Sequence, residues 1–166
     1  MEKLNTVYLS LGSDLGDQKK NISDAIELIK KKAGKVQKQS SFYESKPLGF
    51  KSDTLFYNIC IEIETTLTPL ALLKALQKIE LKLGRIKNPS AKMYVSRLID
   101  IDILYYNQVI FLNEMLIIPH PHTSVRKFVL IPLEEIAPQF TDPKNQQTIE
   151  ALLEKCTDKS QLNRVD

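Results

Sequence analysis

Tryptophan is absent from this 166-residue chain, and cysteine and histidine occur only twice each. Cys60 and Cys156 stand far apart without metal-ligand spacing, a pattern that favours two reduced thiols over a disulfide and offers no good nucleophile. The five glycines form neither a G-x-x-x-x-G-K-[ST] loop nor a G-x-G-x-x-G turn, and H-E-x-x-H, H-R-D and D-F-G are missing too. A phosphate ligand would therefore be held by side chains and metal, not by a glycine cradle. No apolar run approaches the ~18 residues of a membrane span, and the N-terminus lacks the order of a secretory signal. A cytoplasmic protein without membrane contact is expected. The net charge of +3 is too small to argue for a nucleic-acid partner.

The apolar fraction of 43% and charged fraction of 26% are those of an ordinary globule, and the length suits one domain over residues 1–166. "NTVYLSLGSD" reads as a strand running into a turn at Gly-Ser-Asp. Ile22, Ala25, Ile26 and Ile29 then form one helical stripe that Gly34 stops. "KVQKQSSFYESKP" reads as a second strand, and "YNICIEIETT" as a third with Ile59, Ile61 and Ile63 inward. Thr68-Pro69 opens a second helix with Leu72, Leu73, Leu76, Ile79 and Leu83 as its stripe and Gly84 as its end. A basic, aperiodic loop from Arg85 to Ser96 precedes a fourth strand, "SRLIDIDILYY". A hairpin is expected around "YYNQVIF", a short helix near Thr123 and a C-terminal helix in "TIEALLEK". The order predicts an α+β fold: a ferredoxin-like βαββαβ core with a mostly antiparallel sheet flanked by helices, plus the extra hairpin and C-terminal helices. A monomer is the default expectation.

The fourth strand raises the chemical question. With a period of two, Ile99, Ile101, Ile103 and Tyr105 point one way, and Leu98, Asp100, Asp102 and Leu104 the other. Two like charges on one strand face repel unless a cation, a basic side chain or open solvent meets them. An acidic decoration of an exposed face is one reading. The other is a Mg²⁺ site, since Mg²⁺ takes one or two carboxylates together with substrate phosphates. Arg97 heads the strand, and Arg85, Lys87 and Lys92 lie in the loop before it, as phosphate ligands or as a solvated basic linker. His120 and His122 in "IPHPH" lack a Cys or third His to complete a zinc site, so His120 is either a loop histidine or one that meets phosphate or a proton. Arg126 suits bidentate phosphate contact or an ion pair with Glu134 or Glu135. Phe42, Phe56 and Phe128 are each compatible with ordinary core.

"GSD", "SKPLG", "FYN", "IELKLGR", "SRLIDIDIL", "IPHPH" and "RKFVLIPLEEIAP", in that order, resemble the 6-hydroxymethyl-7,8-dihydropterin pyrophosphokinase family over essentially the whole chain. The resemblance implies transfer of pyrophosphate from ATP, the co-substrate, to 6-hydroxymethyl-7,8-dihydropterin in folate biosynthesis. It implies that Asp100 and Asp102 hold two Mg²⁺ ions and that these two with Arg85 and Arg97 form the catalytic group. It further implies ATP contacts from Gln77, Glu80, Arg85, Lys87, Arg97, Ile103, His120 and Arg126. The pterin would lie between Phe56 and Phe128, bonded at its edge by Asn58 and backbone groups of Ser45, Lys46 and Leu48, with Asp100 close by. The chain departs from the family pattern at Asp14, where asparagine is commoner, and at Phe56, where some members carry tyrosine. Lys87 and Tyr94 stand where arginine and tryptophan are frequent, and "VS" precedes Arg97 in place of Gly-Pro. Closure of the Pro47–Leu55 and Arg85–Ser96 loops over the substrates is expected. Two rivals are an RNA-binding module on the same fold, against which the missing aromatic-rich strand counts, and a nucleotide-binding scaffold without activity.

Overall fold

The computed structural model describes residues 3–45, 55–84 and 98–165. Ile22, Ala25, Ile26 and Ile29 form the buried stripe of α1 (Gln18–Lys32), which starts where the Asp17 carboxylate accepts the Lys20 N–H at 3.2 Å. Lys30, Lys31 and Lys32 fill its last turn, where cations suit the negative end of the helix. Just beyond it, a Cβ at Gly34 would collide with the Glu64 carbonyl oxygen, so only glycine fits. α2 (Pro69–Lys82) begins as expected, with the Thr68 hydroxyl accepting the Ala71 N–H at 3.4 Å and Pro69 in the first turn. It buries Leu72, Leu76 and Ile79, and also one charged residue, Glu80.

At the centre of the sheet, β1 (Asn5–Ser13) and β4 (Phe56–Thr65) pair antiparallel. β5 (Asp100–Tyr106) pairs with the free side of β1, and β2 (Lys35–Gln39) and β3 (Phe42–Ser45) pair with that of β4. The order β5-β1-β4-β2/β3, all antiparallel, is the expected ferredoxin-like arrangement. The single second strand expected over "KVQKQSSFYESKP" is instead two, broken at Ser40–Ser41. There Ser40 exchanges bonds with the Cys60 backbone, and the Glu135 carboxylate accepts the Ser41 N–H at 3.0 Å. β10 (Asn163–Val165), which no sequence signal announced, pairs with β3.

Helices cover both faces. Val7, Leu9, Leu11, Ile59, Ile61, Ile63, Ile101 and Ile103 pack with the stripes of α1 and α2. Tyr8, Cys60, Leu104 and Tyr105 pack against α3 (Lys127–Ile136) and α4 (Ile149–Lys155), the latter capped by Thr148. Tyr105 thus faces away from Ile101 and Ile103, contrary to strict alternation. The register steps from Leu9 opposite Ile103 to Tyr8 opposite Tyr105, so Leu104 is an extra residue and a β-bulge inverts the phase. Tyr106 takes the inner position, and the Tyr105 hydroxyl donates to Asp142 at 2.6 Å.

The hairpin also falls later than expected. The chain turns at Asn107, whose φ is 49°, and the paired strands are β6 (Phe111–Leu112) and β7 (Ile117–Ile118). Thr123–Val125 forms one 3₁₀ turn before α3, and β8 (Thr141–Asp142) pairs with β9 (Gln147–Thr148) ahead of α4.

Candidate active site

Directly opposed residues of antiparallel strands send their side chains to the same side, so sheet register assembles the site. On the face that α3 and α4 partly cover, Tyr43 opposes Asn58, Asn58 opposes Gly12, and Gly12 opposes Asp100. In the next row Ser10 lies between Cys60 and Asp102. On the other side of the first row, Ser45 opposes Phe56. Asp100 and Asp102, both half-buried, therefore occupy successive rows about 7 Å apart along β5.

Asn58 is only 3% exposed, and its amide nitrogen donates to the Ser45 hydroxyl at 3.2 Å. Its Oδ1 lies 2.9 Å from where a Gly12 Cβ would stand, so the absence of a side chain at Gly12 makes room for the amide. Gly-Ser-Asp is thus not the turn the sequence suggested: Gly12 and Ser13 belong to β1, and Asp14 is fully buried at its end. The available signal was a glycine inside an alternating strand pattern, a mark of close approach. Phe56 is buried with its ring edge 3.8 Å from the same Gly12 position. Phe128, in the first turn of α3, is half-buried, and the Arg126 guanidinium carbon lies 5.5 Å from its ring centroid.

Glu135 is engaged elsewhere than with Arg126, accepting from Ser41 and, at 2.5 Å, from the Tyr43 hydroxyl. The cost of ionising a buried phenol beside that carboxylate raises Tyr43 to about 12. Burial likewise pushes the Cys60 thiol well above its ordinary value, and the sulfur sits 3.6 Å from the Val129 carbonyl oxygen. Both cysteines are free thiols, as expected.

The His120 N–H donates to the Leu104 carbonyl at 3.1 Å, which fastens the segment after β7 to β5. Its Nδ1 accepts the His122 N–H at 3.2 Å, so the neutral ring carries its proton on Nε2, a donor. Burial first, then the charges of His122 and Arg126, lower the His120 pKa from 6.5, while Asp100 opposes them. His120, Arg126 and Asp100 thus share one electrostatic neighbourhood.

Gln77 is half-buried on α2, and the Ile103 side chain lies in the opposite core, which leaves only its backbone for a ligand. The buried Glu80 carboxylate accepts the Ile101 N–H, between the two aspartates, at 2.9 Å. Lys46, Leu48, Arg85, Lys87, Lys92, Tyr94 and Arg97, with most of the two loops expected to close over the substrates, lie outside the described residues. Among the described residues no cluster of three or more His, Cys, Asp or Glu is placed to hold a metal. Two carboxylates on one face fit Mg²⁺, which fills its shell with phosphate and water, and do not fit zinc.

The chain is similar to known proteins in both sequence and fold. The chain is 45% identical over 152 residues to the folic acid synthesis protein of Pneumocystis carinii, covering 92% of this chain and 20% of that protein. It is 40% identical to the 2-amino-4-hydroxy-6-hydroxymethyldihydropteridine pyrophosphokinase of Bacillus subtilis, covering 81% of this chain and 80% of that one. The Haemophilus influenzae protein of the same name is 38% identical, with 92% and 94% covered. In fold, the chain matches the crystal structure of Plasmodium falciparum HPPK-DHPS with pterin and p-hydroxybenzoate. The TM-score is 0.73 at 20% identity, over 92% of this chain and 42% of that one. Residues 8–138 match the family described as 7,8-dihydro-6-hydroxymethylpterin-pyrophosphokinase (HPPK). That span runs from the first strand past Phe128 and takes in every residue of the site, and the chain belongs to this family.

Proposed function

We propose that this protein transfers pyrophosphate from ATP to 6-hydroxymethyl-7,8-dihydropterin, giving AMP and the dihydropterin diphosphate, a step of folate biosynthesis. The observation that carries the reading is the register that sets Asn58 and Asp100 on either side of Gly12, with Asp102 one row further. An amide able to read the donor and acceptor edge of a heterocycle stands beside carboxylates suited to a metal polyphosphate. The pyrophosphokinases of Bacillus subtilis and Haemophilus influenzae, matched over 80% and 94% of their lengths, support it.

In this reading Phe56 and Phe128 stack on the two pterin faces, and Asn58 with backbone groups of Ser45, Lys46 and Leu48 bonds its edge. Gln77, Arg85, Lys87, Arg97, Ile103, His120 and Arg126 form the ATP side. His120 offers its Nε2–H to a phosphate oxygen. Two Mg²⁺ ions held by Asp100 and Asp102 would neutralise the polyphosphate and orient its oxygens. The pterin hydroxymethyl oxygen attacks the β-phosphorus and loses its proton to water. The bond from that phosphorus to the oxygen shared with the α-phosphorus breaks, and AMP departs with that oxygen. Arg85, Arg97 and Arg126 take up the charge that develops on the transferred group.

The same reading has residues 1–166 work as one pterin pyrophosphokinase domain, a cytoplasmic monomer acting on two small molecules without nucleic acid or membrane. Among the described residues no helix is long and apolar enough to cross a membrane. The test is chromatography of the products formed from ATP, Mg²⁺ and the pterin. Equal amounts of AMP and pterin diphosphate are expected. ADP, or no product from folded protein, would count against the reading.

A further inference from the structure

A buried carboxylate is costly unless it is bonded, and Glu80 is 4% exposed on a helix whose other buried residues are all apolar. It lies at the edge of the sheet. Among the described residues β5 is the last strand on that side, and no further strand there pairs its outer backbone N–H groups. The N–H that Glu80 receives, at 2.9 Å, is that of Ile101, the one residue between Asp100 and Asp102. On the inner side its neighbours Asp100 and Asp102 lie opposite Gly12 and Ser10 of β1. The peptide between the two aspartates is therefore held from both sides, by the sheet and by a charge-assisted bond from α2.

We infer that Glu80 is a positioning residue, whose bond to the Ile101 N–H fixes the backbone between Asp100 and Asp102 and thereby the spacing and aim of the two carboxylates. The inference rests on the proposed function for its meaning in catalysis. It also departs from the nucleotide contact that family resemblance implies for this position, because it acts through the strand. Residues that orient metal-binding side chains typically cost about 10- to 100-fold in metal affinity or activity when removed.

Three variants of the full chain separate the bond from the charge. Glu80→Gln keeps an acceptor oxygen at the same reach and loses the charge. Glu80→Asp keeps the charge but is too short to reach the strand. Glu80→Ala loses both. Mn²⁺ affinity is measured by electron paramagnetic resonance with α,β-methylene-ATP, beside hydrogen exchange of the Ile101 amide, pterin affinity by calorimetry, and kcat and KM. Glu80→Gln is expected to keep most of the Mn²⁺ affinity, kcat and Ile101 protection that Glu80→Ala loses. For Glu80→Asp and Glu80→Ala the expected result is Mn²⁺ affinity and kcat down by at least about tenfold, faster Ile101 exchange and unchanged pterin affinity.

The inference is overturned if Glu80→Asp matches wild type while Glu80→Gln does not, since the charge then matters and the bond does not. It is equally overturned if Glu80→Ala and Glu80→Asp raise only the KM for ATP, the mark of a direct nucleotide contact. Should Glu80→Ala not fold, the Gln and Asp pair decides alone. If the wild type makes no pterin diphosphate, the proposed function fails, while Mn²⁺ affinity and Ile101 exchange still judge the positioning role.

Discussion

Replacing Gly12 by alanine adds one methyl group at the middle of the site, where its Cβ would stand 2.9 Å from Asn58 Oδ1. The Phe56 ring and the Tyr57 carbonyl, both at 3.8 Å, are ordinary contacts, so the collision is with the amide alone. Asn58 is 3% exposed and held by its 3.2 Å bond to Ser45, itself buried. Rotating the amide away breaks that bond and leaves buried polar atoms unpaired, at about 1–3 kcal/mol. Urea denaturation should show that loss directly. Because the displaced amide is the one proposed to read the pterin edge, calorimetry should show pterin affinity down by about five- to a hundredfold, at roughly 1.4 kcal/mol per factor of ten. ATP affinity should stay near wild type. A double-mutant cycle isolates the cause: in an Asn58→Ala background the oxygen is gone, and Gly12→Ala should cost little more. Unchanged pterin affinity in the single variant, or losses that simply add in the double variant, would refute the reasoning.

Asp100→Asn and Asp102→Asn should each abolish most turnover with the fold retained, since removing one of two like charges relieves repulsion; near wild-type kcat at saturating Mg²⁺ would exclude a metal-binding role for that residue. Phe128→Ala should weaken pterin binding by about 1 kcal/mol beyond the lost burial, and calorimetry with unchanged affinity would remove it from the site. The His120 pKa is lowered below its ordinary 6.5 by burial foremost. Its neutral form therefore favours the folded state, and that contribution is intact above pH 6.5 and is lost as pH falls through the folded pKa. Proton NMR of the metal-free protein should find this imidazole titrating below 6.5, and a His120→Asn variant should lose less stability on acidification than wild type. A His120 titration at or above 6.5 contradicts the packing described.

The elements that local physics determines were legible in the chain. α1 and α2 follow from apolar spacing, α2 also from Thr68 as its cap, and β1 and β4 from alternation. The shared face of Asp100 and Asp102 needed only the period of a strand. What escaped depends on partners distant in sequence. The break at Ser41 is stabilised by Glu135, 94 positions away, and Tyr105 bonds to Asp142 beyond a bulge that alternation alone cannot announce. Gly12 reads as a turn residue until register brings Asn58 against it. The resemblance marks Glu80 as a nucleotide contact, and its bond to the Ile101 N–H emerges only when β5 is laid beside α2. The paired carboxylates could thus be found from one segment, whereas the row that joins Asn58, Gly12 and Asp100 required the pairing of three strands.

The central claim is attack at the β-phosphorus, and phosphorus NMR of the purified protein with ATP, Mg²⁺ and 6-hydroxymethyl-7,8-dihydropterin tests it most directly. The β and γ resonances of ATP should decay together into one new diphosphate, while the α resonance becomes that of AMP. Growth of ADP, with the γ-phosphorus alone moving to the pterin or to water, would contradict the account.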